Sequence, residues 1–181
     1  MDRQKKMITI ERITTSSCEE YLYTERLLTA AFPRDEYRAL HEQRSNVDSK
    51  EAFCMNILCN DGCPIGLLSY WLFDGYIYIE HFAIEASQRN KGYGAMALKQ
   101  LLKTESKVVL EVELPTDETS RRRIGFYGRC GLEMCDREYM QPAYQADSNE
   151  VPMRLMACGM EMESCFEQIK SDIYRTVYGK I

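Results

Sequence analysis

The segment with the clearest chemical potential places two glycines beside two basic side chains, in the order Arg89-Asn90-Lys91-Gly92-Tyr93-Gly94. It leads into an amphipathic stretch over 92–105 that is predicted to be a helix. The first backbone N–H groups of a helix have no intrahelical acceptor, and the helix dipole adds positive potential at that end. Because glycine has no side chain, a phosphate group can approach this backbone closely. The pattern therefore predicts a pyrophosphate site, and the alternative is a tight strand-to-helix turn that binds nothing.

The spacing of these glycines excludes two common nucleotide-binding motifs. The dinucleotide motif G-x-G-x-x-G needs a third glycine, but Ala97 stands in that part of the predicted helix. A Walker loop needs the sequence G-K-[ST], which does not occur. The segment is therefore not predicted to bind a dinucleotide or a nucleoside triphosphate through either motif.

Three segments together resemble the GNAT N-acetyltransferase superfamily, which has a strand, a Q/R-x-x-G-x-G/A pyrophosphate loop and a helix, followed by a second strand and helix. Here a strand containing Glu80-His81-Phe82-Ala83-Ile84 precedes the glycine segment. Further on, Phe126-Tyr127-Gly128-Arg129-Cys130-Gly131-Leu132 places Tyr127 four residues before Gly131, as in the family. The resemblance spans residues 52–158 and implies an N-acetyltransferase that uses acetyl-coenzyme A as co-substrate.

The resemblance also implies which residues hold acetyl-coenzyme A. Backbone groups of Phe82, Ala83 and Ile84 would bind the pantetheine arm as if it were an added strand. This requires the strands over 76–84 and 107–114 to splay apart. The pyrophosphate would be held by the backbone amides of Arg89, Asn90, Lys91, Gly92, Tyr93, Gly94 and Ala95.

Acyl transfer to an amine needs one group that accepts a proton from the amine and one that returns a proton to the leaving thiolate. The resemblance makes Tyr127 the predicted proton donor, and the alternative is that it is a core aromatic side chain. No histidine lies near Cys130 in the sequence, so direct attack in a ternary complex is predicted rather than an acyl-cysteine intermediate.

Glu80 is the predicted proton acceptor, because it lies on the strand that would bind the cofactor. It is two residues from Phe82, so both side chains are expected on one face of the sheet if no bulge intervenes. Its alternative role is to orient the substrate or to lie on the surface. Glu111, Glu113, His81 or water could replace it as the acceptor, although His81 is expected on the opposite face.

The sequence departs from the family just before Tyr127. Many members have Asn and Ala there, whereas this chain has Arg121-Arg122-Arg123. The three arginines are either a solvated helix face or contacts to adenosine phosphates or a charged substrate, since Arg suits phosphate geometry. One expected cofactor contact is therefore missing from the resemblance.

The elements that must position these residues form an α/β (α+β) fold. A mixed, mostly antiparallel central sheet of about seven strands is predicted, with helices on its faces. The predicted strands cover 8–13, 52–59, 64–73, 76–84, 107–114, 133–139 and 153–158. The predicted helices cover a segment capped by Ser16 or Ser17 that runs to Phe32, then 35–44, 92–105, 121–130 and 163–178.

Composition and charge narrow the class of protein. The chain has 181 residues, 45% of them apolar, which predicts one domain or one domain with an appendage. The resemblance implies that residues 1–158 are the acetyltransferase domain and that residues 159–181 are a helical appendage packed on it. The net charge of −5 argues against nucleic-acid binding. No stretch reaches the roughly 20 apolar residues needed to span a bilayer, and residues 1–12 do not read as a secretory signal, so a cytoplasmic location without membrane contact is expected. The eight cysteines include no C-x-x-C pair, so free thiols and no metal site are predicted.

The acceptor is predicted to be a primary amine of a small molecule. The alternatives are a protein or peptide acceptor, or a silent module of the same fold that only binds acyl-coenzyme A. The loop over 141–151 is expected to border the acceptor site. The C-terminal helix could cover the sheet, line that site or form a homodimer contact.

Overall fold

The computed structural model describes residues 8–146 and 148–180. Residues 1–7, Asp147 and Ile181 lie outside the described residues. The first of these belong to the segment over 1–12 that was predicted not to be a secretory signal, and Asp147 belongs to the loop over 141–151.

Eight strands of the described chain form one sheet. They are β1 Ile8–Ile13, β2 Phe53–Asn60, β3 Cys63–Phe73, β4 Tyr76–Ile84, β5 Val108–Glu113, β6 Glu133–Met134, β7 Tyr139–Gln141 and β8 Val151–Cys158. The α-helices are α1 Glu19–Ala31, α2 Leu40–Ser49, α3 Tyr93–Thr104, α4 Glu118–Arg129 and α5 Met162–Thr176.

The spatial order of the strands is β1-β2-β3-β4-β5-β8-β6, and β7 also pairs with β8. Within residues 8–146 and 148–180, β4 and β5 form the single parallel pair, and the other pairs are antiparallel. The predicted mixed, mostly antiparallel sheet with helices on its faces is thus confirmed.

Tight turns join the first part of the sheet. Asp61 (φ 49°) and Gly62 (φ 77°) are both left-handed, as a two-residue hairpin turn between β2 and β3 requires. Gly75 (φ 83°) turns the chain between β3 and β4. After β4 the chain crosses through α3 and returns as β5, which is the connection that a parallel pair needs.

Three predicted helix starts were wrong. Helix α1 is capped by Cys18, whose Sγ atom accepts from the N–H of Tyr21 at 3.4 Å. Ser16 is not available as the cap, because its N–H and its hydroxyl donate to Asp48 at 2.6 and 2.7 Å. Helix α2 begins at Leu40 rather than residue 35, because residues 34–36 form a short 3-10 turn and the extended backbone that follows sends the next side chains into the core.

The third wrong start is that of α4, which begins at Glu118 rather than at residue 121. Asp117 and Ser120 form a capping box, in which each side chain bonds the backbone N–H of the other residue. The predicted strand over 133–139 is also two short strands, β6 and β7. They meet β8 at different places, with Met134 opposite Met156 and Tyr139 opposite Met153.

Two hydrophobic clusters lie on opposite faces of the sheet. Helices α3 and α4 pack on one face, in the cluster that contains Ile77 and Leu110. Helices α1, α2 and α5 pack on the other, in the cluster that contains Tyr78 and Val109. These residues alternate along β4 and β5, as side chains on opposite faces of a strand do.

The C-terminal helix α5 packs against the sheet of its own chain. Phe166, Ile169 and Ile173 are at most 2% exposed and belong to the same cluster as Tyr78. No helix in the described ranges has the length and apolar character that crossing a membrane would need.

Candidate active site

The two parallel central strands separate in the middle of the sheet. They pair at three positions, and the last pair is Ile79 opposite Leu110. The next residues, Glu80 and Glu111, have no partner across this gap. The Glu80 side chain is 0% exposed, although the residue as a whole is partly exposed, so its accessible atoms belong to the main chain. The predicted splay of the central strands is therefore present.

A cavity of about 690 Å³, here called the outer cavity, lies between the start of α3 and helix α4. Eight of the predicted cofactor residues line it: Phe82, Ile84, Arg89, Asn90, Gly92, Tyr93, Gly94 and Ala95. Of the other two, Ala83 lines a second cavity, and the Nζ atom of Lys91 lies 2.9 Å from Gln88 Oε1.

The start of α3 is open towards the outer cavity. Its N-cap residue is Gly92 (φ 85°), and no side chain makes a capping hydrogen bond there. Asn90 (φ 62°) is also left-handed, so the backbone turns sharply twice before the helix. Helix N-termini with this geometry attract anions through their orphan amides and the helix dipole.

Arginines line the wall of the outer cavity that α4 provides. Arg121, Arg122 and Arg123 are exposed, and all three belong to the lining. Arg123 donates to Glu113 at 2.6 Å, and Arg89 on the opposite wall donates from Nε to the carbonyl of Ile84 at 3.0 Å. The outer cavity is therefore rich in positive charge, which suits a ligand with several phosphates.

A second cavity of about 270 Å³, here called the inner cavity, opens at the splay. It shares five lining residues with the outer cavity: Phe82, Ile84, Arg89, Arg123 and Tyr127. Four carboxylates line it: Glu36, Glu80, Glu111 and Glu113. The two cavities thus meet where β4 and β5 diverge, with cationic side chains on one side and carboxylates on the other.

Tyr127 stands at this junction. The residue is 8% exposed, and its ring packs edge-on against Phe126 with 5.2 Å between ring centroids. Its hydroxyl makes no hydrogen bond to any residue of the described chain, and burial raises the pKa of Tyr127 to about 12. The side chain is therefore a neutral phenol whose proton is available to a ligand.

Glu80 lies in a β-bulge. Between β3 and β4, Ser69 pairs with His81 and Tyr70 pairs with Ile79, which leaves Glu80 without a partner. A bulge interrupts the alternation of side chains. The Glu80 carboxylate accordingly lies on the same side as His81, 3.9 Å from its Nδ1 atom, whereas Phe82 packs with the cluster on the α3 face. The shared face of Glu80 and Phe82 was predicted only in the absence of a bulge, and the bulge is present. The expectation that His81 lies on the face opposite Glu80 was wrong for the same reason.

The Glu80 carboxylate is saturated with donors. Arg38 forms a bidentate ion pair with it, Trp71 Nε1 donates at 3.0 Å, and the Tyr144 hydroxyl donates at 3.0 Å. Burial raises the pKa of Glu80, but Arg38 and these donors outweigh burial, so the pKa lies below its ordinary value of 4.5. A carboxylate with this environment holds its neighbours in place and accepts a further proton poorly.

Glu111 has the opposite character. Its carboxylate accepts from the hydroxyls of Tyr139 and Tyr178, the latter at 2.8 Å from Oε2. Burial raises the pKa of Glu111 to about 7, although the tyrosine hydrogen bonds lower it. A carboxyl with a pKa near neutrality is suited to accepting a proton during a reaction.

The remaining acceptor candidates have different positions. His81 is 2% exposed, its Nε2 lies 2.9 Å from the carbonyl of Glu36, and burial lowers its pKa. The carbonyl can only accept, so Nε2 carries the proton and Nδ1 faces the Ser69 hydroxyl at 3.3 Å. Glu113 is 39% exposed in its ion pair with Arg123.

Several residues of the site were missed by sequence reasoning, among them Glu36, Tyr139 and the three that follow. Arg38 lies in a segment predicted to be helical, and Tyr178 at the end of the C-terminal helix. Tyr144 lines the inner cavity from the loop over 141–151, and the prediction that this loop borders the acceptor site was the one signal that pointed to it. The described part of the chain contains no group of three or more side chains arranged to hold a metal ion.

Comparison with known proteins gives a single family. The sequence profile of the acetyltransferase (GNAT) family matches residues 12–132. No curated protein sequence matches the chain significantly.

Solved structures agree with the profile. A protein of Bacteroides thetaiotaomicron assigned to the GNAT family is 39% identical, covers 96% of this chain and 99% of its own, and superposes with a TM-score of 0.92. The ribosomal-protein-S18-alanine N-acetyltransferase of Escherichia coli is 19% identical over 84% of this chain and 93% of its own, with a TM-score of 0.59. A GNAT-family acetyltransferase of Elizabethkingia anophelis with acetyl-CoA bound is 16% identical over 84% of this chain and 98% of its own, with a TM-score of 0.55. The last two likenesses show the fold alone.

Proposed function

Since this chain belongs to the GNAT family of acetyltransferases, we propose that it transfers an acetyl group from acetyl-CoA to the primary amine of a small cationic molecule, by direct attack in a ternary complex. The observation that carries this proposal is the meeting of the outer and inner cavities at the splay of β4 and β5, beside Tyr127. An arrangement with a separate chamber for each substrate allows both to be bound at once and removes the need for an acyl-enzyme.

The outer cavity fits acetyl-CoA. The start of α3, which no side chain caps, offers backbone amides to the pyrophosphate. The edge of β4 over Phe82–Ile84, which β5 does not pair, offers main-chain groups to the pantetheine arm, although the Ile84 carbonyl already accepts from Arg89. Arg121 and Arg122 on the facing wall would attract the remaining phosphate in place of the asparagine that many family members carry.

The inner cavity fits a small positively charged amine. Two of its four carboxylates are already paired, Glu80 with Arg38 and Glu113 with Arg123. Glu36 and Glu111 have no cationic partner among the described ion pairs, and burial raises the pKa of both carboxyls. An ammonium group near these two would be stabilised, and a volume of about 270 Å³ has room for a small molecule but not for a folded substrate.

We assign the acceptor of the proton to Glu111 and keep Glu80 as the carboxylate that orients the site. The bound ammonium first loses one proton to water, and the neutral nitrogen then bonds to the thioester carbonyl carbon. The nitrogen next loses a second proton to Glu111. The carbon–sulfur bond breaks, and Tyr127 returns a proton to the leaving thiolate. Glu111 suits this role because its pKa is about 7, whereas the pKa of Glu80 lies below 4.5.

Release of free thiol from acetyl-CoA, followed over a panel of amines, tests the proposal. The panel contains diamines and polyamines, amino-acid amides, and short peptides with a free N-terminus, and binding of coenzyme A is followed separately by its effect on the melting temperature. Turnover of the small cationic amines, absent in Glu111→Gln, supports the proposal. Turnover of the peptides alone would instead make the chain a peptide acetyltransferase.

Stabilisation by coenzyme A without turnover of any amine would indicate a silent binding module. No stabilisation at millimolar coenzyme A would contradict the outer cavity as the cofactor site.

A further inference from the structure

The C-terminal segment after α5 reaches the centre of the molecule. Val177 is 7% exposed and packs in the cluster that contains Phe166. Gly179 (φ 64°) then turns the chain, and the N–H of Lys180 donates to the carbonyl of Tyr174 at 2.9 Å. Tyr178 is therefore held between a buried residue and a closed turn, which fixes the direction of its side chain.

The hydroxyl of Tyr178 lies against Glu111. It is 2.8 Å from Oε2 and 3.1 Å from Oε1 of the carboxylate. Gln141 donates to the same hydroxyl from Nε2 at 3.0 Å. An amide nitrogen can only donate, and the Tyr144 hydroxyl, the other acceptor, is uncharged and lies farther away, at 3.4 Å. The single phenol proton of Tyr178 is therefore assigned to the nearer, charged Glu111.

Hydroxyl groups rather than cations surround Glu111. The titratable groups that face it come from several elements: Tyr78 and Glu80 from β4, Tyr139 from β7, Tyr144 from the following loop, and Tyr174 and Tyr178 from the C-terminal segment. None of the described ion pairs includes Glu111. Hydrogen bonds from tyrosines must therefore stabilise its negative charge.

Tyr178 does not line the inner cavity. It instead lines a separate cavity of about 500 Å³, together with Arg38, Asn46 and Tyr144. A change at its hydroxyl consequently reaches the acceptor through the lining residues that it contacts, Glu111, Gln141 and Tyr144, and not through direct contact.

We infer that Tyr178 is a positioning residue for the acetyl transfer, whose hydroxyl holds the Glu111 carboxylate in its ionised form and directs it towards the inner cavity. This inference rests on the proposed role of Glu111 as proton acceptor. It extends the site to a residue that lies beyond the family match over 12–132.

The test is the pH profile of kcat/KM for Tyr178→Phe, which keeps the ring and removes the hydroxyl. Loss of one hydrogen bond to a charged group should move the acid limb of the profile upwards by about one pH unit. The rate is expected to fall at neutral pH and to recover at alkaline pH. An unchanged acid limb, with loss of rate at every pH, would overturn the inference and leave Tyr178 a packing residue.

Tyr174→Phe is the matched control. It lies in the last turn of α5, four residues before Tyr178, and its hydroxyl donates to the backbone carbonyl of Met140 rather than to a carboxylate. Its acid limb is expected to coincide with that of the unmodified enzyme. A shift equal to that of Tyr178→Phe would show that general loosening of the segment is responsible.

A carboxyl titration separates this inference from the proposed function. In protein labelled with ¹³C at the glutamate carboxyl carbons, the Glu111 signal is identified by its loss in Glu111→Gln. Tyr178→Phe should raise the titration midpoint of that signal even if no acceptor amine is turned over, in which case the proposed function fails and the positioning role stands. An unmoved midpoint contradicts the positioning role whatever the activity.

Discussion

Glu80 and Glu111 occupy equivalent places on the two central strands, each directly after the last paired residue. The pKa of Glu80 is nevertheless lowered, whereas the pKa of Glu111 is raised. Arg38 and two neutral donors, Trp71 and Tyr144, hold the pKa of Glu80 below 4.5. Burial with only tyrosine donors raises the pKa of Glu111 to about 7. Two carboxylates with different environments can hold different roles in one site, one fixed in its charge and the other exchanging protons.

Glu111→Gln should abolish most of the activity, because an amide cannot accept the proton. A loss of about 10²–10⁴-fold in kcat is expected for a general base, and the unmodified enzyme should gain activity as the pH rises through about 7. The matched variant is Glu113→Gln, which removes a carboxylate two residues further along the same strand. Glu113→Gln should retain the pH dependence of the activity. If Glu111→Gln retained it instead, another group would be the proton acceptor.

Glu111→Gln should also change how the stability of the protein depends on pH. The pKa of Glu111 is higher in the folded protein than its ordinary value of 4.5, so the folded state binds more protons between those two values. Stability should therefore decrease as the pH rises from about 4.5 to about 7. Glu111→Gln lacks this loss, and it should be more stable than the parent at pH values above 7 when both are unfolded in urea. Equal stability of the two proteins at alkaline pH would contradict the raised pKa of this buried carboxyl.

Arg38→Met should destabilise the fold strongly. Arg38 is 5% exposed and Glu80 has no exposed side-chain surface, so the variant leaves a buried carboxylate without its cation. Loss of one partner of such a pair costs about 3–5 kcal/mol. The double variant Arg38→Met with Glu80→Gln should recover much of this loss, as measured by urea unfolding.

A surface pair provides the control for Arg38. The Arg44 side chain is 47% exposed and that of its partner Glu25 is 12% exposed, so Arg44→Met should cost less stability than Arg38→Met. Because the pKa of Glu80 is lowered on folding, the contribution of the Arg38 pair is present above pH 4.5 and should be lost as the pH falls below that value. A cost for Arg44→Met that equals the cost for Arg38→Met would argue against the special position of the buried pair.

Tyr127→Phe should reduce kcat while leaving the affinity for coenzyme A unchanged. The ring keeps its edge-on packing against Phe126, and the hydroxyl makes no hydrogen bond within the described chain, so the fold loses nothing. Removal of a general acid costs about 10²–10⁴-fold in rate. Turnover together with calorimetric binding of coenzyme A checks this, and a parallel fall in both would assign Tyr127 to binding instead.

Gly66→Ala should disturb the strand that would carry the pantetheine arm. A Cβ atom at Gly66 would lie 2.5 Å from the backbone carbonyl oxygen of Ala83 on β4, so the strand must move. We expect a loss of about 1–3 kcal/mol in stability and weaker binding of coenzyme A. Gly128→Ala is the control, since nothing lies within 4 Å of its Cβ position in α4, and it should stabilise the protein by about 0.5–1 kcal/mol.

Features that depend on neighbouring residues were predictable from the sequence. The hairpin at Asp61-Gly62 and the left-handed Gly92 before α3 follow from local backbone preferences, which are the same in any fold. The predicted helix over 121–130 likewise ends just before Gly131, a left-handed glycine with φ 101°, as is common at helix ends. The sheet could be argued from these local patterns and their order, and the splay of its central strands was implied by the resemblance to the family.

The assignment of roles to the carboxylates depended on contacts that are distant in sequence. Arg38 and Glu80 are 42 residues apart, and Tyr178 and Glu111 are 67 residues apart. The bulge at Glu80 arises from the register between β3 and β4, which alternation along one strand does not reveal.

The amino-acid sequence by itself therefore determined the class of chemistry, because a helix start rich in glycine and a correctly spaced tyrosine are local features. Only the tertiary structure decided which carboxylate is fixed and which can exchange a proton. The physical reason is that a pKa depends on burial and on the donors around the group, and the chain brings those donors together only when it folds.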